Sequence, residues 1–146
     1  MRLAVATGPG GFTGTRLTVV MARTLAQQLD CSLDGISSFA LMAPRLARQG
    51  GLASPQEPFW IVQTLPRRGQ VGGSYRVGER GAVEELQQPH LLAEGEVVQP
   101  AVTMAEDVAA DVSWLLDCCF AAHQRGVSSP WAAVLPIYPT SPVGVV

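Results

Sequence analysis

Apolar residues fall along this chain in short blocks, and their spacing switches between strand-like runs and helical recurrence. Leu3 to Thr7 is an apolar run that opens at Gly8 and predicts a buried strand. From Gly14 to Leu29 the recurrence is by three and four, with Leu17, Val20, Met21, Thr24, Leu25 and Gln28 on one helical face. Thr13 stands ahead of that helix as its candidate N-cap, and no Gly or Pro follows Gly14 within it. Val19, Ala22 and Ala26 lie away from the Leu17–Val20–Met21 stripe. A helix apolar on more than one side is either central to a core or shared between a core and a partner.

The remaining blocks alternate in the same way. Ser32 to Ile36 predicts a short strand, and Ser37 or Ser38 caps a second helix, Phe39 to Arg48. Gln49 to Pro58, rich in Gly, Pro and Ser, reads as a loop. Phe59–Leu65, Gly72–Val77 and Ala82–Leu86 are strand-like runs separated by turn residues, which predicts an antiparallel meander. A polar loop is expected over Gln87–Pro100. Met104–Ala122 then carries Val108, Val112, Leu115, Leu116, Cys119 and Phe120 at helical spacing and predicts a third long helix. Val134–Tyr138, followed by Pro139 and Pro142, fits only an edge strand. No internal repeat is present.

Composition narrows the function classes. The chain has 146 residues, 47% of them apolar and only 15% charged, so part of its apolar surface is a candidate for covering by a partner. A net charge of −2 lacks the basic footprint of a self-sufficient nucleic-acid binder, so RNA would be held by another subunit. The three cysteines, Cys31 and the adjacent Cys118–Cys119, have no disulfide-framework spacing, which points to a reducing compartment, and the adjacent pair reads as buried thiols. Cys-x-x-Cys and His-x-x-x-His spacings are absent, so no zinc site is expected. With no signal peptide and no span-length apolar run, a cytoplasmic protein off the membrane is expected. Glu84–Glu85 and Asp107–Asp111 read as solvated faces rather than acid–base pairs.

The stretch GPGGFTGTR, Gly8 to Arg16, resembles a phosphate cradle, but it misses both standard templates. Five residues after Gly8 stands Thr13, where the Walker loop needs Gly-Lys, and the chain contains no lysine at all. Thr13 also occupies the third glycine position of the dinucleotide fingerprint. Gly8, Gly10, Gly11 and Thr13 therefore remain weak phosphate candidates, resting on the general affinity of helix N-termini for anions. The structural alternative is a sharp turn with positive-φ glycines in which two backbones approach closely. Phe12 would then plug the core, and Arg16 would pair with a carboxylate of a neighbour or a partner.

Those residues also carry a family resemblance. GPGGFTGTR is similar to the G-P-G-S-F-T-G-L-R signature of the TsaB (YeaZ) family. LDGISSFALMA, RRGQVGGSY and VLPIYPTSP follow in order and resemble that family's LVGVSSLEALA, D-A-R-R-G-E-V-Y and P-x-Y-L-R blocks. In the third block both acids and the tyrosine are lost, whereas Arg67 and Arg68 are kept.

The resemblance implies an α/β, actin-like ATPase (ASKHA, RNase H-like) fold. Relatives begin earlier, with an Asp-Thr-Ser strand, a hairpin and a helix, so the N-terminal lobe is expected to be incomplete: residues 1–50 would be its remainder and 59–146 the C-terminal lobe. It further implies a non-catalytic subunit that dimerises with a TsaD-type catalytic subunit, or with a second copy of itself, and is joined by a TsaE-type ATPase. The complex would form threonylcarbamoyladenosine in tRNA, with tRNA, ATP and metal held by the partners and no cofactor in this chain. The expected interface is Leu17, Val20, Met21, Thr24 and Gln28, with Arg16 at the rim. Two other readings stay open: an ATP-binding enzyme of the same superfold, and a degenerate, truncated paralogue without activity.

Overall fold

The first strand, β1 (Arg2–Ala6), runs parallel to β2 (Ser32–Ile36), in register from Arg2 opposite Ser32 to Ala6 opposite Ile36. The helix α1 (Phe12–Leu29) connects them. The computed structural model describes residues 1–10, 12–51, 57–78 and 82–138, without the side chains of Phe12 and Thr13. Alternation along β1 sends Leu3 and Val5 toward α1, where Val5, Leu33, Val19, Ala22, Ala26 and Val134 form one core flanked by Leu3, Cys31 and Trp131. Arg2, of the opposite parity, forms a fork to Asp34 through Nε (2.6 Å) and Nη2 (2.7 Å). The outer edge of β2 is closed by the C-terminal segment: Leu33 N–H donates to the Ser129 carbonyl (2.9 Å), and Ser129 Oγ donates back to Leu33 O (2.8 Å).

The helix α3 (Val108–Gln124) packs on β1 and completes this unit, which comprises Met1–Leu41 and Asp107–Ile137. Asp107 caps it by accepting from Ala110 N–H (3.2 Å), so the helix starts four residues later than the Met104 expected from spacing alone. Asp107 and Asp111 thus serve the helix start. Cys118 and Cys119 are half-buried rather than buried, and desolvation pushes both thiols above the ordinary cysteine range. The expected edge strand at Val134–Tyr138 does not form. Trp131–Ala133 is a 3-10 turn, after which Ile137 N–H reaches Thr7 O (2.8 Å).

The second helix, α2 (Ser38–Gln49), is capped by Ser37, whose Oγ accepts from Ala40 N–H (3.0 Å). Its face of Phe39, Ala40, Met42, Ala43, Leu46 and Ala47 is buried, and Pro44 sits inside it.

The second compact unit is built on Met42–Glu106 and holds a four-stranded sheet of order β5-β4-β3-β6. Its strands are β3 (Phe59–Leu65), β4 (Gly69–Val77), β5 (Val83–Leu91) and β6 (Ala101–Thr103). The meander β3-β4-β5 is antiparallel as expected, while β6 pairs parallel to β3. Two features were absent from the sequence expectation. β5 extends to Leu91 through Pro89, which is tolerated because β5 is at the sheet edge. β6 falls between the expected polar loop, which ends at Pro100, and the helix expected from Met104, and is only three residues long. Glu84 faces Arg76 across the β4–β5 pair (3.2 Å) at the surface.

One turn of this unit carries an arginine where glycine is favoured. Arg68 N–H closes the β3–β4 turn onto Leu65 O (3.1 Å), and Arg67 takes φ +64° in third position behind Pro66. Positive φ at that position alone defines a type II turn, and an L side chain there costs about 1 kcal/mol. Replacing Arg67→Gly should therefore raise unfolding stability by about 0.5 kcal/mol after the gain in unfolded-chain entropy is deducted, measured by urea unfolding.

Candidate partner-binding face and the glycine turn

The strand β1 enters the glycine turn at Thr7. Gly8 takes φ +95°, and a Cβ built there would lie 3.1 Å from Thr15 Cγ2 and 3.3 Å from the Ile137 carbonyl oxygen. A Cβ on Gly10 would lie 3.0 Å from Thr15 Oγ1. The turn is therefore filled by Thr15 and by the C-terminal segment. Its carbonyls are committed outward: Thr7 O accepts from Ile137 N–H (2.8 Å) and Gly8 O from Ser38 N–H (2.7 Å). Three segments of the first unit meet here through backbone bonds. Among the four weak phosphate candidates, Gly8 and Gly10 stand in this packed turn. Gly11 lies outside the described residues, as does the side chain of Thr13. The helix begins at Phe12, which places Thr13 within its first turn instead of at the N-cap.

The fourth glycine of the stretch differs in kind. Gly14 is helical and exposed, and a Cβ added to it meets nothing within 4 Å. Gly14→Ala should stabilise the chain by about 0.5–1 kcal/mol through helix propensity alone, read from the shift of its urea midpoint.

Beyond the turn, α1 separates its two apolar sides cleanly. Val19, Ala22 and Ala26 are buried against the β1–β2 pair, with Val19 at 0% exposure. Leu17 (65%), Val20 (51%) and Met21 (60%) point away from the core, accompanied by Leu25 and Leu29. At 100° per residue the two sets centre on opposite sides of the helix. Arg16, Thr24 and Gln28 share the exposed side, and Thr24 Oγ1 is folded back onto the Val20 carbonyl (2.9 Å). No described residue pairs with the Arg16 guanidinium. All six expected interface positions thus lie on one outward face.

Two contributions were not read from the sequence. Arg23 anchors the helix from its buried side: Nη1 donates to Val134 O (2.6 Å), and the guanidinium lies 5.5 Å from the centre of the Trp131 ring. A basic residue between Ala22 and Ala26 was the available signal. The second is the stripe Val108, Val112, Leu116 and Phe120, which is exposed along α3 while Leu115 and Cys119 are half-buried. Helical spacing located these residues without telling core from surface. Among the described residues, no group of three or more His, Cys, Asp or Glu side chains could hold a metal, and no helix is long and apolar enough to cross a membrane.

Residues 1–113 match the family model described as TsaD: tRNA N6-adenosine threonylcarbamoyltransferase. The chain belongs to this family. Within it the likeness is to the TsaB/YeaZ members. The chain is 35% identical over 85 residues to the tRNA threonylcarbamoyladenosine biosynthesis protein TsaB of Bacillus subtilis (strain 168), a match covering 58% of this chain and 34% of that protein. It spans about a third of that curated relative. The solved structure of YeaZ from Pseudomonas aeruginosa superposes with a TM-score of 0.68 at 21% identity, covering 94% of this chain and 73% of the other. A second structure, of an uncharacterized protein with similarity to peptidase YeaZ from Pseudomonas aeruginosa, gives the same TM-score of 0.68 at 21% identity, over 94% of this chain and 72% of that one. The fold is accordingly the actin-like, RNase H-like α/β type expected from the glycine stretch.

Proposed function

We propose that this TsaB/YeaZ-type chain is a non-catalytic scaffold subunit in tRNA N6-threonylcarbamoyladenosine formation. Its partner is a TsaD-type catalytic subunit docked on the outer face of α1. The observation that carries this reading is the outward stripe Leu17, Val20 and Met21, set opposite a side already buried in the core. Burying such side chains contributes about 1.5–3 kcal/mol each, enough for a few of them to offset the ordering cost of a stable interface. Arg16 supplies a rim charge, which steers association more than it strengthens it.

In this reading ATP, metal and tRNA are held by the TsaD-type subunit and a TsaE-type ATPase, and the assembly is cytoplasmic. The glycine turn acts as a strut that aims α1. Its carbonyls face Ser38 and Ile137, whereas an anion site needs convergent N–H groups. The test is reconstitution. Purified chain added to TsaD-type and TsaE-type partners, tRNA, ATP and a threonylcarbamoyl donor should raise modified adenosine above the level without it. The chain alone should form none and should show no ATP–Mg²⁺ binding tighter than millimolar by titration calorimetry. Tight ATP binding by the isolated chain would support the nucleotide-enzyme reading instead, and homodimers that exclude the TsaD-type subunit would reassign the face to self-association.

A further inference from the structure

A cavity of about 570 Å³ opens in the second unit, between the β3–β4 turn and the turn that follows β5. This is within the size range of small-molecule sites. Leu91, Leu92 and Val97 give it an apolar lining, with Arg67 on one turn and Glu94 on the other.

The two turns share a geometry and differ at one position. In the second, Glu96 N–H closes onto Ala93 O (3.0 Å), and the third-position residue, Gly95, takes φ +77°. Glycine stands there as a type II turn prefers. The first turn holds Arg67 at φ +64° in the equivalent place, against that preference. No hydrogen bond or ion pair among the described residues engages the Arg67 guanidinium, nor does any engage the Glu94 carboxylate. By contrast, Glu96 is occupied in holding its own turn, with Oε1 accepting from Ala93 N–H (3.1 Å). A side chain kept at a conformational cost, free of internal partners and bordering a cavity, points to a ligand.

We propose that this cavity binds a small zwitterion, a free aliphatic α-amino acid. Arg67 takes the carboxylate and Glu94 the ammonium, and the side chain lies on Leu91 and Val97. The guanidinium fork suits a carboxylate, and the acidic turn opposite supplies the complementary charge. The charged lining is balanced, Arg67 and Arg68 against Glu94 and Glu96, which suits a zwitterion and gives a polyanion such as an RNA backbone no net attraction. The site is independent of the scaffold reading, since none of its residues is on α1.

Amide chemical-shift titration of the ¹⁵N-labelled full chain with L-valine and L-alanine tests it, with acetate, methylammonium and inorganic phosphate as separate probes. Exposed charge pairs imply a Kd on the order of millimolar. Shifts at Gly69, Gln70, Ala93 and Gly95 should saturate with the amino acids and require at least about ten-fold more acetate or methylammonium. Arg67→Gly, which should leave the turn better formed, is expected to weaken binding by about ten-fold or more, and Glu94→Gln to do the same. Unchanged titration in Arg67→Gly would overturn the proposal. So would a phosphate response stronger than the amino-acid response, or no saturation by either amino acid at 50-fold above the expected millimolar range.

Discussion

Val20→Asp should abolish stable association with the proposed TsaD-type partner while leaving the fold of this chain intact. Val20 is half exposed on the outer side of α1, beside Leu17 and Met21. A carboxylate there remains hydrated in the free chain, and Val and Asp differ little in helix propensity, so unfolding stability should change by no more than about 0.5 kcal/mol. In the complex the same carboxylate would be buried without a partner. That penalty, added to the lost apolar contact, is of hot-spot size, about 3 kcal/mol or a hundred-fold in Kd. Gel filtration with the partner and calorimetry read it directly, with circular dichroism as the fold control. The neighbouring position gives the opposite result. Val19 is fully buried against β1 and β2, so Val19→Asp should cost about 4 kcal/mol or more and unfold the first unit. Two adjacent valines thus separate binding from folding. A Val20→Asp chain that still binds with wild-type affinity removes α1 from the interface.

The same helix shows what could be read in advance and what could not. Recurrence at three and four placed both apolar sides of α1, because a helix exposes its period directly in sequence. An exposed second side was one of the two outcomes open to a helix with more apolar surface than one core can take. The α3 stripe had the same period, yet its exposure depends on what lies beside β1 in space, which no local window contains. β5 was cut short at the sequence level because Gln87, Gln88 and Pro89 resemble a loop, and only the edge position in the sheet makes a proline acceptable there. β6 was invisible for a related reason: three residues carry too little pattern, and its pairing with β3 is fixed by Pro100 O and Met104 N–H at its two ends. The Arg2–Asp34 fork joins residues 32 apart, and parallel register alone brings them together. In the glycine stretch the chemistry was legible as turn or cradle, but the backbone bonds from Ser38 and Ile137 to its carbonyls join residues too far off in sequence to be read there.

Those contacts lead to the second large effect, at Gly8. Gly8→Ala places a Cβ at φ +95°, 3.1 Å from Thr15 Cγ2 and 3.3 Å from the Ile137 carbonyl, and the second of these is backbone that cannot rotate away. Conformational strain of about 1–2 kcal/mol and the two close contacts together predict a loss of about 2–3 kcal/mol in unfolding stability. The loss should appear with no nucleotide present, as a lowered urea midpoint at unchanged slope. Because the turn joins β1, the start of α2 and the C-terminal segment, hydrogen exchange should quicken at Ser38 and Ile137, whose amides bond to Gly8 O and Thr7 O. Partner affinity should fall with it, since α1 is aimed from this turn. A phosphate loop predicts the reverse: unchanged stability and exchange without ligand, and a deficit visible only on adding ATP–Mg²⁺. Gly14→Ala is the internal control, expected to gain stability from the same stretch of sequence, so opposite signs at Gly8 and Gly14 would separate the strut from the exposed helical position.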